Sequence, residues 1–402
     1  MSHLGYMEKL LDGVEVEWRE LGEVCRFING RAYKKAELLE KGKYPVLRVG
    51  NFFTNNHWYY SDLELDEDKY CDNGDLLYAW SASFGPRIWQ EGKVIYHYHI
   101  WKVIPNTEII KKKYLFYLLD WDTEALKAEQ STGSTMKHIG KGLIEKRMLP
   151  IPPLKVQAEI VRILDTFTEL TAELTAELTA RQQQYAYYRD ECFNFNDNEV
   201  EWETLGVVSK IQRGASPRPI AKYVTDDKSG VPWIKIGDTR LGSKFVDNTA
   251  QRITFEGAEK SRVLKKGSFI MSNSMSYGRP YILAIEGAIH DGWASISDFE
   301  SKLNPDFLYH YLSSGNVKKY WESKINSSSV SNLNSDIIKA LPVPIPPIDE
   351  QERIASILDK FDTLTTSLTE GLPREIELRQ QQYEYYRDLL LSFPKPEVVA
   401  HD

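Results

Sequence analysis

Two stretches of the chain concentrate side chains with directed hydrogen-bond donors and acceptors. The first holds Trp80, Ser81, Ser83 and Arg87, followed by Lys137 and His138. The second holds Asn273, Ser274, Ser276 and Arg279, followed by Ser329, Asn332 and Asn334. Indole, hydroxyl, amide, guanidinium and imidazole groups present polar atoms in defined geometry, which suits them to reading a partner's edge. Lys34, Lys35, Arg213, Lys235 and Lys244 add cations that can meet anionic groups, although most surface lysines are simply solvated. A third set is aromatic. Tyr185, Tyr187 and Tyr188 are matched by Tyr383, Tyr385 and Tyr386, and tyrosine is enriched in the cores of protein interfaces.

No constellation for bond-making accompanies these groups. The chain lacks the GxxxxGK[ST] loop that cradles nucleotide phosphates and the HExxH zinc helix. It also lacks an FxGxG followed by Asn- or Asp-Pro-Pro-Tyr, the pair an amino-methyltransferase needs. Carboxylates and lysines are plentiful, but none forms a nuclease cluster. The eight histidines are not at ligand spacing, and Cys25, Cys71 and Cys192 form no CxxC. His97 and His290 occupy matched places in apolar runs and read as structural. The expectation is a chain with no catalytic residue, no metal site and no cofactor of its own.

The elements that position these groups are duplicated. Arg-Gln-Gln-Gln-Tyr-Ala-Tyr-Tyr-Arg-Asp at 181–190 returns with one change at 379–388, a tandem repeat. Ile160–Asp165 matches Ile354–Asp359, Leu149–Pro153 resembles Leu341–Pro347, and Glu-Val-Glu-Trp ends at both Trp18 and Trp202. Residues 156–193 read as one helix, with Ile160, Ile163, Leu164, Phe167, Leu170, Leu174 and Leu178 three and four apart. At ~1.5 Å per residue it spans roughly 57 Å. Inside it runs Thr171-Ala-Glu-Leu-Thr-Ala-Glu-Leu-Thr-Ala180, and one such unit is about one helical turn, roughly 6 Å. A second helix over about 350–392 carries Ile354, Ile357, Leu358, Phe361, Leu364 and Leu368, and Gly371-Leu-Pro373 should break or kink it before Arg374. Matching apolar stripes predict an antiparallel coiled coil.

Between the helices lie strand-rich inserts sharing a faint plan. Tyr44–Gly50 resembles Val231–Gly237, and Asn73–Gly85 resembles Lys266–Gly278. The fold class expected is α+β: two strand-rich domains separated by two long helices, with pseudo-twofold internal duplication. The boundaries are 1–150 and 196–345 for the domains, and 151–195 and 346–402 for the helical spacers. Tyr6–Leu11 precedes Val-Glu-Val-Glu-Trp as Tyr187–Asp190 precedes Glu-Val-Glu-Trp, so the repeat is circular and the N-terminal segment should pack near the C-terminal helix.

No stretch approaches the ~18 apolar residues of a membrane span, and the first residues lack signal-peptide character. With scattered cysteines, this predicts a soluble cytoplasmic protein. The net charge of −8 weighs against a polyanionic partner. The acid lies in the repeated frame, however. Residues 1–150 hold 21 basic and 22 acidic side chains, and residues 196–340 hold 19 and 17.

Two divergent domains alternating with near-identical helices resemble the specificity subunit of a type I restriction–modification system. The shared pattern is Leu-Pro-x-Pro-Pro, Gln-x-x-Ile, Leu-Asp-x-Phe and Arg-Gln-Gln-Gln-Tyr-x-Tyr-Tyr-Arg-Asp. The likeness is closest to the subclass carrying Thr-Ala-Glu-Leu units. The resemblance implies a non-catalytic subunit whose two target-recognition domains each read half of a split, asymmetric sequence in double-stranded DNA. It implies that the helices set the half-site spacing and dock two modification subunits that methylate adenine N6, with restriction subunits joining the larger complex. S-adenosylmethionine, ATP and Mg would belong to those partners. On this reading the two polar stretches supply base contacts, the lysines and Arg213 phosphate contacts, and the tyrosine patches the docking surface. The alternative is a scaffold of two protein-binding modules with no DNA role.

Overall fold

A computed structural model of the chain describes residues 11, 13–53, 55–129, 138–196, 199–240, 242–273, 277–326, 333–367 and 369–394. The chain divides into two compact units, residues 1–171 with 379–402, and residues 172–378. Among their helices are α1 (Lys112–Glu129), α2 (Leu154–Cys192), α3 (Pro305–Leu312), α4 (Ile348–Thr366) and α5 (Gly371–Leu391). The unit boundary falls inside α2 and α5, so each unit holds one strand-rich domain together with part of both long helical segments.

Helix α2 starts directly after Pro153, whose ring and missing N–H suit the entry to a helix but not its interior. It then runs unbroken for 39 residues. Its threonines are accommodated by bonding back, as Thr171 and Thr179 do, donating Oγ1–H to the carbonyls of Phe167 and Thr175 four residues earlier. The break in its counterpart lies upstream of Gly-Leu-Pro. Helix α4 ends at Thr366, and α5 begins at Gly371 itself. Pro373 thus falls in the first turn of α5, where no intrahelical partner for its N–H is needed.

In the first unit, one four-stranded sheet has the order Cys25–Asn29, Ile100–Pro105, Leu76–Ser81, Ser83–Ile88. A second has the order Tyr59–Ser61, Tyr44–Leu47, Val94–Tyr96, Tyr70–Cys71. The core joins Phe27, Tyr78 and Trp101 of the first sheet to Leu115 and Leu118 of α1, Ile160 and Leu164 of α2, and Leu390 and Leu391 of α5. Full burial of each aliphatic side chain contributes about 1.5–3 kcal/mol. Leu11 packs on this core, and the Trp18 indole N–H donates to the Pro394 carbonyl at 3.0 Å. Leu11 thus shares a core with Leu390 and Leu391 of α5, while residues 6–10 of the expected N-terminal contact lie outside the described residues.

The second unit has two five-stranded sheets. One has the order Lys210–Arg213, Trp293–Ser297, Phe269–Ser272, Pro280–Leu283, Phe245–Val246. The other has the order Val224–Thr225, Gln251–Ile253, Val231–Ile234, Gly287–Ile289, Arg262–Leu264. Tyr185 of α2, Phe307 and Leu308 of α3, and Ile354 and Leu358 of α4 share its main core with Phe269.

The same joints recur in both units. The proline lead-ins form two-stranded antiparallel ribbons, pairing Trp18 with Pro150 and Trp202 with Pro344; prolines fit there because such ribbons leave one edge unpaired. Gln157 has no exposed surface. It accepts from the Lys111 N–H at 2.8 Å and donates to the carbonyls of Ile109 (2.9 Å) and Pro152 (2.7 Å). Gln351, equally buried, accepts from Asn304 N–H at 2.8 Å and donates to Lys302 (3.0 Å) and Pro346 (2.8 Å). One amide thereby ties helix, proline strand and domain together in each unit.

Candidate nucleic-acid interface

The two polar stretches of the first unit converge. Trp80 and Ser81 end a strand that turns through Ala82, a non-glycine residue at φ +64°, into Ser83. His138 bridges Ser81 in antiparallel fashion, and the Ile139 N–H donates to the Trp80 carbonyl at 3.0 Å. The Trp80 ring stacks on Trp101 at 5.5 Å and meets His99 edge-on at 4.9 Å and His138 at 5.8 Å. Its indole N–H is committed to the Tyr98 carbonyl at 2.9 Å, so Trp80 offers a ring face rather than a donor. Ser81 is buried, whereas Ser83 and His138 are exposed.

In the second unit the Leu333 N–H donates to the Asn273 carbonyl at 3.0 Å. That is the same closure made by a different pair of letters. The opening side of the loop matches too: the amide of Trp80 donates to His99 O, and that of Asn273 to Gly292 O, both at 3.1 Å. Asn273 Nδ2 and Arg213 Nε both reach the Asp291 carbonyl, at 3.4 and 3.1 Å, which brings these two candidates together. Arg279 is half-buried, with its guanidinium 5.4 Å from the centre of the Tyr281 ring. Lys137, Ser274, Ser276, Ser329 and Asn332 lie outside the described residues.

Several expected contacts are engaged elsewhere. Lys244 does not reach outward: its side chain is 11 % exposed and its ammonium sits 2.7 Å from both Asp306 and Asp359. Two carboxylates satisfy that charge, and this corrects its reading as a phosphate contact. Asn334 is an N-cap, its Oδ1 accepting from the amides of Asp336 (3.0 Å) and Ile337 (2.9 Å) at the start of Ser335–Lys339. Arg87 pairs with Leu77, four register steps from the Ser81–Ser83 pair, and donates to the Phe52 carbonyl at 2.6 Å. It braces the Val49–Phe53 turn. Lys235 Nζ donates to Gln251 Oε1 at 2.8 Å. Lys34, Lys35 and Arg213 are exposed.

The structural reading of the matched histidines fits their geometry. Nδ1 of His97 accepts from the His99 amide at 3.4 Å, and Nδ1 of His290 from the Gly292 amide at 2.9 Å. Burial, reinforced by His99 and Arg48, pulls His97 down to about 4. Burial and then His138 lower His99 as well, so both rings are neutral at pH 7, each with one protonated and one bare ring nitrogen, and the bare Nδ1 of His97 is the one that accepts from the His99 amide.

The tyrosine patches divide. Tyr185 is not a surface group: it is buried, bonded through its hydroxyl to His310 Nδ1 at 2.9 Å and stacked on Phe361 at 6.0 Å. Tyr383 is half-buried against the first unit's core. Tyr187 and Tyr385, at 62 % and 59 % exposed, are the outward members. Tyr188 stacks on Phe361 at 6.0 Å, and Tyr386 stacks on Phe167 at 5.2 Å. Beneath each patch is an aspartate node. Asp165 takes Tyr117 (2.8 Å) and Lys113 (2.6 Å), and Asp359 takes His310 (2.8 Å) and Lys244 (2.7 Å). Burial pushes Asp359 up, but its bonds to His310 and Lys244 more than offset this and its pKa is lowered.

Tyr98 and His99 went unread in the sequence, although Tyr-His-Tyr-His at 96–99 is an unusual run. Among the described residues no group of three or more His, Cys, Asp or Glu is arranged to hold a metal ion, and no helix is long and apolar enough to cross a membrane.

Two units with equivalent loop closures define a duplicated, two-domain protein. The chain belongs to the family described as type I restriction modification DNA specificity domain, which matches residues 13–181 and 199–378. It is 35 % identical over 427 residues to the type I restriction enzyme EcoR124I/EcoR124II specificity subunit of Escherichia coli, covering all of both chains. It is 33 % identical to a putative type I restriction enzyme specificity subunit of Haemophilus influenzae, covering 96 % of this chain and 98 % of that one. The fold is similar to the type I restriction–modification S subunit from M. genitalium, with TM-score 0.56 and 14 % identity over 96 % of this chain and 98 % of that one. It is also similar to a chain from a structure concerned with complex assembly and conformational transition of the type I R-M system, with TM-score 0.65 and 18 % identity over 94 % and 98 %.

Proposed function

We propose that this chain is the DNA-recognition subunit of a cytoplasmic type I restriction–modification complex and performs no catalysis itself. Each unit reads one half of a split, asymmetric target through its paired loops. The observation that carries this reading is the equivalent closure, Ile139 onto Trp80 and Leu333 onto Asn273, with different side chains at the tips. An equal frame with unequal tips is what two unlike half-sites require, and base edges are read by such directed groups.

The exposed Tyr187 and Tyr385 surfaces dock two modification subunits, which bring S-adenosylmethionine and methylate adenine N6. Restriction subunits, ATP and Mg complete the larger assembly. The stacks of Tyr188 on Phe361 and of Tyr386 on Phe167 support antiparallel pairing of the long helices, since each joins an early position in one repeat to a late position in the other. The chain falls in the subclass with Thr-Ala-Glu-Leu units, and α2 acts as a ruler. Adding or removing one unit changes its length by ~6 Å, or one to two base pairs at roughly 3.4 Å each.

The test is DNA binding by the chain assembled with its modification subunit, measured between 50 and 200 mM salt. Affinity should fall steeply with salt, as phosphate contacts require. A stable assembly without salt-dependent DNA binding would favour a protein-binding scaffold instead.

A further inference from the structure

The two long helical segments are not equal in sequence. From Asp165 to Arg181 the chain advances 16 positions, and from the matching Asp359 to Arg379 it advances 20. The surplus is four residues, the length of one Thr-Ala-Glu-Leu unit. It is also the number of residues between the end of α4 at Thr366 and the start of α5 at Gly371. Helical length is thereby nearly equalised: α4 and α5 hold 19 and 21 residues, one more in total than the 39 of α2.

The described residues of this surplus, 367, 369 and 370, lie against the end of α4 and one another, and Leu368 lies outside the described residues. Gly371 lies against the last turn of α4, at φ +79°, where a Cβ would stand 2.5 Å from the Thr363 carbonyl oxygen and 2.7 Å from that of Leu364. Only glycine fits such an approach in that conformation. The Ser367 amide donates to Thr363 O at 3.3 Å, and its Oγ accepts from the amides of Thr369 (3.3 Å) and Glu370 (3.1 Å). Extended, the five Cα steps from Thr366 to Gly371 reach roughly 17 Å. Here the same steps end in contact with the preceding turn. On the order of 10 Å of reach is stored, more than the ~6 Å of one added unit.

We infer that residues 367–370 are a length store. They hold one unit's worth of chain out of the helix while α2 carries two units, and they extend when α2 carries three. This rests on the proposed reading that helix length sets half-site spacing, and it makes α2 the sole determinant of the spacer. The C-terminal segment follows passively, with Gly371 as the residue that permits the compact state.

Three variants test this, each co-produced with the modification subunit: Thr-Ala-Glu-Leu inserted after Leu178, residues 367–370 deleted, and both changes together. Nitroxide labels at Lys360→Cys and Glu377→Cys, in a Cys192→Ser background, read the store by pulsed electron paramagnetic resonance. In the insertion variant the label separation should grow by about 6 Å, and the methylated motif should gain one or two base pairs of spacer. An unchanged separation with a longer spacer overturns the length store and leaves the ruler reading standing. A longer separation with an unchanged spacer supports the store and overturns the ruler. The deletion variant should keep the parental spacer, and a shifted spacer there overturns the inference even if the insertion fails to fold. The double variant should lose methylation, and methylation equal to that of the insertion alone also overturns it.

Discussion

Replacing Gln157 by leucine should destabilise the first unit severely and leave the second intact. The side chain is wholly buried and serves three backbone groups: the Lys111 N–H and the Ile109 and Pro152 carbonyls. Leucine nearly conserves volume, so the loss comes from polar groups left dry. Each buried group without a partner costs about 1–3 kcal/mol, and carbonyls with a second lone pair fall at the low end. The sum is about 3–5 kcal/mol, a large share of the 5–15 kcal/mol typical of a domain. Urea unfolding of the full chain measures the loss, and limited proteolysis locates it, with cleavage appearing first around residues 106–153. Gln351→Leu should mirror this in the second unit. A shift below about 1 kcal/mol, or equal cleavage in both units after either change, would refute the bracket argument.

Three further outcomes are expected. His97 is held down to about 4 against an ordinary value of 6.5, so as pH falls the unfolded chain takes up a proton before the folded one. The His97 contribution should be constant above about pH 6.5 and drain at up to about 1.4 kcal/mol per pH unit toward pH 4; His97→Asn should remove that part of the slope in thermal melts. Asn273→Ala should lower discrimination at one position of one half-site by about 1–3 kcal/mol, and Trp80→Ala should relax only the other half-site, as read by binding to substituted duplexes. Tyr187→Ala and Tyr385→Ala should each reduce bound modification subunits from two to one in native mass spectrometry, and the pair of changes should remove both; unchanged stoichiometry would exclude these tyrosines from docking.

The duplicated frame was legible because repetition survives without knowledge of contacts. The stripe from Ile160 to Leu178 and the prolines before it specify an unbroken helix locally, and α2 follows within two residues at each end. What escaped depends on distant partners. Gln157 reads as a solvated amide, yet its backbone partners on Ile109 and Lys111 lie 48 and 46 residues away. Lys244 reads as a free cation, but Asp359, 115 residues on, shares its ammonium with Asp306. Asn334 carries a local signal, since Asn-Ser-Asp before Ile-Ile is a helix-capping pattern, and its side chain is spent on that cap. Tyr185 shares its motif with the exposed Tyr187, and the motif does not say which residue faces inward. The helix break moved upstream of Gly-Leu-Pro because proline is harmless in a first turn.

The most direct test of two units reading two different half-sites is single-molecule sequencing of N6-methyladenine in DNA from cells expressing the chain with its modification subunit. A bipartite, asymmetric motif of fixed spacer with one methylated adenine on each strand is expected. A contiguous or palindromic motif, or an intact complex that leaves DNA unmethylated, would contradict it.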